Sequence, residues 1–304
     1  MTLPALPKPN PPLQRANDAF MRRTLRAFLD AYYGFLDDDG WAIASHIALA
    51  TLTSMFPFLI FLTAIAGFLG SKNLANQAAN LMLETWPKQV AQPISAEIHN
   101  VLTQSRGGLL TIGAVLALYF SSSGIEALRI GLNRAYRVKE GRPWWLLRLE
   151  SIAYVLVGAM ALLAMAFLVV LGPLIWSTAV AYGPALGRLD AIVTFGSYGI
   201  TAMILTIALV IAHVWLPAER HTLREIAPGV ALTLFLSLAF GIAFGAYLAK
   251  FARNYVTTYA GLASVMIALL FLYALASIFL FGGELNAAIC RSQRESASSE
   301  AVSS

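Results

Sequence analysis

Residues 261–283 of the 304-residue chain carry no charge, and their edge is marked by Gly282-Gly283-Glu284-Leu285-Asn286-Ala287-Ala288. An uncharged helix of that length rises roughly 35 Å at ~1.5 Å per residue, enough to cross a hydrocarbon core of ~30 Å. Other apolar runs in the chain are similarly long, and only 12% of its residues are charged, about half the share of a soluble domain. These features place the chain among membrane proteins. The expected fold is all-α: a polytopic bundle of six transmembrane helices at about residues 41–69, 108–123, 149–176, 191–216, 228–249 and 261–283.

Around that bundle, residues 37–290, the sequence predicts three further segments. Residues 1–13 hold Pro4, Pro7, Pro9, Pro11 and Pro12 and read as a disordered, extended tail. Over residues 14–36, Met21, Leu25, Phe28, Tyr32 and Leu36 recur on one helical face, with Arg15, Arg22, Arg23 and Arg26 in the same segment. Such a helix suits the anionic cytoplasmic leaflet, or else packs on the protein's own cytoplasmic surface. Residues 291–304 are expected to form a disordered cytoplasmic tail. Between spans 1 and 2, amphipathic stretches at 74–82 and 90–102, split by Trp86-Pro87, predict short extracytoplasmic helices. The first long apolar run follows Trp41, too late for a signal-peptide core, so it is expected to be retained as an anchor.

Charge orients the bundle. The N-terminal segment, the 2–3 and 4–5 connections and the C-terminal tail hold fifteen Lys and Arg, against six in the other connections. The positive-inside bias then puts both termini in the cytoplasm. The net charge of +5 is absorbed by this asymmetry, so no nucleic-acid partner is expected. The expected partners are the bilayer, anionic lipids at its cytoplasmic face, an unidentified small solute or lipid, and a second copy of the chain. The last rests on Gly241 and Gly245, a G-x-x-x-G in span 5 that suits close helix packing within or between chains. Pro57 should kink span 1. Pro217 follows span 4, and Pro228 is expected at the start of span 5, where a missing N–H costs nothing.

The topology brings several polar residues to the inner half of the membrane. Glu126, Arg129 and Asn133 share a face at i, i+3 and i+7. Glu284, Asn286 and His46 lie at similar depth on other spans. A carboxylate at that level is costly unless it is paired or used. Two readings follow: a cytoplasm-facing polar cavity that binds a cation, proton or amine, or a structural arrangement in which Glu284 pairs with Arg129 or another basic residue and the asparagines tie helix ends together. The scattered histidines and single cysteine form no metal spacing, and no nucleophile elbow or phosphate loop occurs. Neither a cofactor nor an enzymatic activity is therefore expected.

Several fragments taken together resemble the YihY/BrkB family of bacterial inner-membrane proteins, from about residue 28 to 288. They are Phe56-Pro57, Leu132-Asn133-Arg134-Ala135-Tyr136, Leu216-Pro217 with Arg220, Pro228-Gly229, Tyr259, and Gly283-Glu284-Leu285-Asn286-Ala287. Departures include Ser45-His46, where an Ala-Tyr pair is common, Ala260 after Tyr259, where glycine is common, and Phe271, where tryptophan is common. The resemblance implies six membrane helices and favours transport or export of a lipid-related molecule or small solute. The ribonuclease BN label that members have carried reads as a misassignment. The alternative function is a non-transporting scaffold or envelope-assembly protein that recruits partners through the basic 2–3 connection.

Overall fold

The computed structural model describes residues 12–68, 83, 110–182, 190–259 and 263–303, and among these the regular secondary structure is all helical. Its helices are α1 (Pro12–Asp37), α2 (Gly40–Phe68), α3 (Leu110–Ala135), α4 (Trp144–Tyr182), α5 (Asp190–Trp215), α6 (Leu223–Tyr259) and α7 (Ala263–Ser303). The extracytoplasmic helices expected at 74–82 and 90–102, and most of the N-terminal tail, lie outside the described residues.

Among the described residues, five stretches are long and apolar enough to cross a membrane: Gly40–Leu62, Gly113–Ala135, Trp144–Met165, Leu223–Lys250 and Val265–Arg294. In α5, the expected fourth span, the described apolar stretch is the shorter Met203–Trp215. Helices extend past the predicted spans at several ends. α7 runs on helically through residues 291–303, where a disordered tail was expected. α6 begins at Leu223, so Pro228 lies inside the helix rather than at its first position. Hydropathy locates the stretch that contacts lipid, whereas a helix ends only where its backbone hydrogen bonds end.

α7 is the central element, packed against α1, α2, α3 and α6. One apolar core gathers Leu52, Leu59 and Leu62 of α2 with Ile267, Phe271 and Leu272 of α7. Smaller clusters follow towards the polar end of α7: Ala44, Ile47, Ala276 and Leu280, then Leu132, Tyr136, Leu216, Phe279 and Ala287. Where α6 crosses α7, Gly229 and Gly282 face each other, and a Cβ on either would run into the opposite backbone. Small residues permit that approach, which lets van der Waals contact hold the helices where lipid removes the hydrophobic drive. Gly241 has no such role among the described residues, because a Cβ built there meets nothing within 4 Å.

Two tight connections place the polar groups. Between α1 and α2 the chain turns through Asp38 and Asp39, the latter at φ 56°. At the end of α3, Val138 N–H donates to Asn133 O and Arg137 N–H to Arg134 O, both at 2.9 Å. With Arg137 at φ 55°, this is a Schellman termination that uses arginine where glycine is usual.

Candidate functional site

The face of α3 read from the sequence is present, but it is turned on α4 and the interhelical connections. Buried Arg129 donates to the Leu147 carbonyl and the Ser151 hydroxyl, each at 3.0 Å, and stands 3.7 Å from Glu126. Glu126 in turn pairs with Arg148 at 2.9 Å. Arg148 also donates to Ser122 and Tyr119 and lies 4.2 Å over the Tyr119 ring, a cation–π contact. The cluster joins α3 to α4. Arg129 is therefore committed to α4 and is not the counter-ion of Glu284.

Asn133 serves the connections. Its Nδ2 donates to Glu140 at 3.1 Å, and its Oδ1 accepts the Ala218 N–H at 2.8 Å. Arg142 grips Glu140 through two nitrogens at 2.8 and 2.9 Å, reaches Glu150 at 2.9 Å and donates to the Leu216 carbonyl at 3.2 Å. This bidentate, charge-assisted contact holds the Glu140 carboxyl down to about 2, the Arg142 hydrogen bond being the largest cause. The 2–3 and 4–5 connections are thereby locked together, with Pro217 fully buried between them.

Asn286 is wholly buried on α7, where its Oδ1 accepts the Gly229 N–H at 2.7 Å and its Nδ2 donates to the Tyr136 hydroxyl at 3.2 Å. The Tyr136 ring stacks on His221 at 4.1 Å. Proline removes one rung from the start of α6, and the next residue's N–H is satisfied across the helix crossing by Asn286. The amide clamps three elements.

Glu284 is different. It is 2% exposed, and its Oε2 has no hydrogen-bond partner. Above it lies Gly34 of α1, where an added Cβ would sit 2.6 Å from that oxygen. The charges that act on Glu284 are Asp37 and Asp38 next to α1, Arg137 after α3, and Arg291 of α7. His46 does not join any of these groups: it is exposed on the outer surface of α2. The six candidate residues therefore do not form one site. Four are engaged in interhelical contacts, one faces outward, and Glu284 alone is buried with an unpartnered oxygen.

Some participants were not singled out from the sequence. Gly34 had a readable signal, since a glycine inside a helix costs about 1 kcal/mol relative to alanine and implies a close approach. His213 had none. It is fully buried on α5, with Nδ1–H donated to Leu209 O at 2.9 Å and Nε2 unpartnered. Among the described residues, no three His, Cys, Asp or Glu side chains converge to hold a metal ion.

These features define a multi-pass helical membrane protein whose central helix carries a buried acidic residue. Residues 31–303 match the family described as virulence factor BrkB, and the chain belongs to that family. It is 26% identical over 249 residues to the protein named ribonuclease-like YfkH of Bacillus subtilis (strain 168), covering 82% of this chain and 90% of that one. It is also 28% identical over 259 residues to a UPF0761 membrane protein of Rhodospirillum centenum (strain ATCC 51521 / SW), covering 84% of this chain and 55% of that protein. No solved structure matches.

Proposed function

We propose that the protein is an inner-membrane transporter, with both termini cytoplasmic, that exports or flips a lipid-related molecule or small solute, and that Glu284 is its ligand-responsive group. The observation that carries this reading is the Glu284 Oε2, buried on the central helix without a partner. An unsatisfied acidic group at membrane depth is expensive, and function is the usual reason it is kept. The other acidic candidate, Glu126, is satisfied by two arginines, so it belongs to the scaffold of this mechanism rather than to its binding step.

The reading is of a six-span bundle, with α5 as the fourth span, and of a protein that is not an enzyme. The ribonuclease-like name of the Bacillus relative is a statement about that protein. For this chain the proposal rests on the absence of a nucleolytic motif in the sequence. Reconstituted Glu284→Gln protein should lose most flux of the transported molecule, or most lipid scrambling of a labelled phospholipid, while keeping the wild-type melting temperature. Wild-type flux in that variant would overturn the assignment.

A further inference from the structure

We propose that α1 is a lid over Glu284, hinged at the Asp38–Asp39 turn that Arg134 and Arg137 hold, and opened by docking on an anionic bilayer surface. The proposal builds on the reading of Glu284 as the responsive group, and extends it to what controls access.

The two faces of α1 are unlike. Towards α7 it presents Ala27, Ala31, Gly34 and Phe35, with Ala31 packed against Leu285 and Ala288. Phe35 anchors the hinge end against Ala44, Ile47 and Leu280, whereas the alanines and glycine before it bury little apolar area, so that stretch adheres weakly. Away from α7, Leu25, Phe28, Leu29, Tyr32, Tyr33 and Leu36 are all exposed, Leu25 by 60% and Tyr33 by 61%. A helix most of whose larger side chains point away from its own protein is shaped for another apolar surface. The adjoining charge indicates which one. The α1 sequence carries Arg15, Arg22, Arg23 and Arg26, which complements a leaflet of anionic lipid.

The inner face covers one polar atom. Gly34 lies directly over the unpartnered Glu284 oxygen, where any other side chain would meet it. The cover is attached by a two-residue turn, with Asp39 at a positive φ. It is pinned by Arg137 Nε to Asp38 at 3.0 Å, and by Arg134 to Asp38 and Asp39 at 3.6 and 3.7 Å. Arg134, Arg137 and Asp39 are exposed while Asp38 is half-buried, so the pairs that hold this turn are partly solvent-screened and can release. Lifting α1 would uncover a carboxylate for a cationic ligand, either a small cation or a primary ammonium head group.

The test uses full-length protein in vesicles, with Ala31→Cys and Ala288→Cys introduced and Cys290→Ser removing the native thiol. A hydrophobic carbodiimide reports access to Glu284 by mass spectrometry, with Glu284→Gln as the blank. Oxidation should lower labelling at least about tenfold, the change that ~1.4 kcal/mol carries, and reduction should restore it. Because the same protein is compared in two redox states, misfolding cannot imitate this result. Arg137→Gln should raise labelling and Arg137→Lys should restore it towards wild type. Phosphatidylglycerol vesicles should label faster than phosphatidylcholine vesicles. Equal labelling in the oxidised and reduced forms would overturn the lid. Labelling that follows protein density instead of lipid charge would overturn the lipid docking and assign the outer face of α1 to a second copy. The transport reading fails separately, through unchanged flux in Glu284→Gln.

Discussion

Asn286 and Glu284 stand two positions apart on α7, and both are buried, yet their surroundings ask opposite things of them. Asn286 uses donor and acceptor together, on Tyr136 and on Gly229. Replacing it with alanine removes both bonds from a buried site, so Asn286→Ala should destabilise the protein by ~1–3 kcal/mol. Tyr136→Phe removes a single bond and should cost about 1 kcal/mol. Thermal unfolding in detergent distinguishes the two, and equal losses would show that the Gly229 contact contributes nothing. Protonation adds a second residue-scale prediction. Burial pulls the His221 imidazole below its ordinary 6.5, so the folded state resists its protonation and stability should begin to fall as pH drops through 6.5. The Glu140 carboxyl, lowered from 4.5 to about 2, contributes in full above 4.5 and loses that contribution between 4.5 and 2. The melting-temperature gap between wild type and Glu140→Gln should therefore be constant above pH 5 and close below it. Much of this lay beyond sequence reading. Spacing shows that Glu126, Arg129 and Asn133 share a face, but not whether that face meets a cavity or a neighbouring helix. His46 illustrates the limit: depth along a span is legible, whereas its rotation about the helix axis depends on packing with distant segments.

The helices themselves were more legible than their ends or their neighbours. Long uncharged runs require helical structure in lipid because every backbone group must be satisfied locally. For α1 the heptad-like face of Leu25, Phe28, Tyr32 and Leu36 was readable, yet the side that packs on α7 is the opposite one, carried by Ala27, Ala31 and Gly34. Small residues leave little hydropathy signal, and close packing uses them for that reason. Their role is testable. Gly34→Val should dislodge α1, because its side chain collides with Glu284, and hydrogen exchange should report lost protection across residues 24–37. In the double variant Gly34→Ala with Glu284→Ala the obstruction is gone and alanine favours the helix by about 1 kcal/mol, so protection should return. Persistent loss in the double variant would mean that the Gly34–Glu284 contact is not what seats α1. At the end of α3, Arg137→Gly relieves a left-handed backbone that costs an arginine ~1–2 kcal/mol. Its side chain also binds Asp38. If docking of α1 matters more than local strain, Arg137→Gly should loosen α1 while leaving the end of α3 intact.

At the scale of the molecule, parity decides the arrangement in the membrane. Among the described residues five helices are long and apolar enough to cross, and five crossings would leave the ends of the chain on opposite sides. The charge distribution argues for six. Arg129, Arg134, Arg137, Lys139, Arg142 and Arg148 surround the end of α3, and Arg291 and Arg294 end the apolar part of α7. The interlocked contacts agree, because Asn133 and Arg142 bind the connection between α5 and α6 at Ala218 and Leu216. The 2–3 and 4–5 connections therefore share one side, so α4 and α5 cross together or not at all, and α4 is long and apolar enough to cross. The C-terminal end of α7 joins them through Asn286 and Tyr136, with Arg294 reaching Glu219 at 3.4 Å. In a chain with Cys290→Ser, cysteines placed singly at Lys139, Glu219 and Arg294 should resist a membrane-impermeant maleimide in intact cells and react after permeabilisation. Cysteines at Lys88 and Arg188 should react without permeabilisation. If Arg188→Cys remained protected while Lys88→Cys was labelled, α4 and α5 would not cross as a pair. The proposed cytoplasmic placement of Glu284 would survive that result, because Asn286 and Tyr136 tie the end of α7 to the end of α3 without passing through either helix.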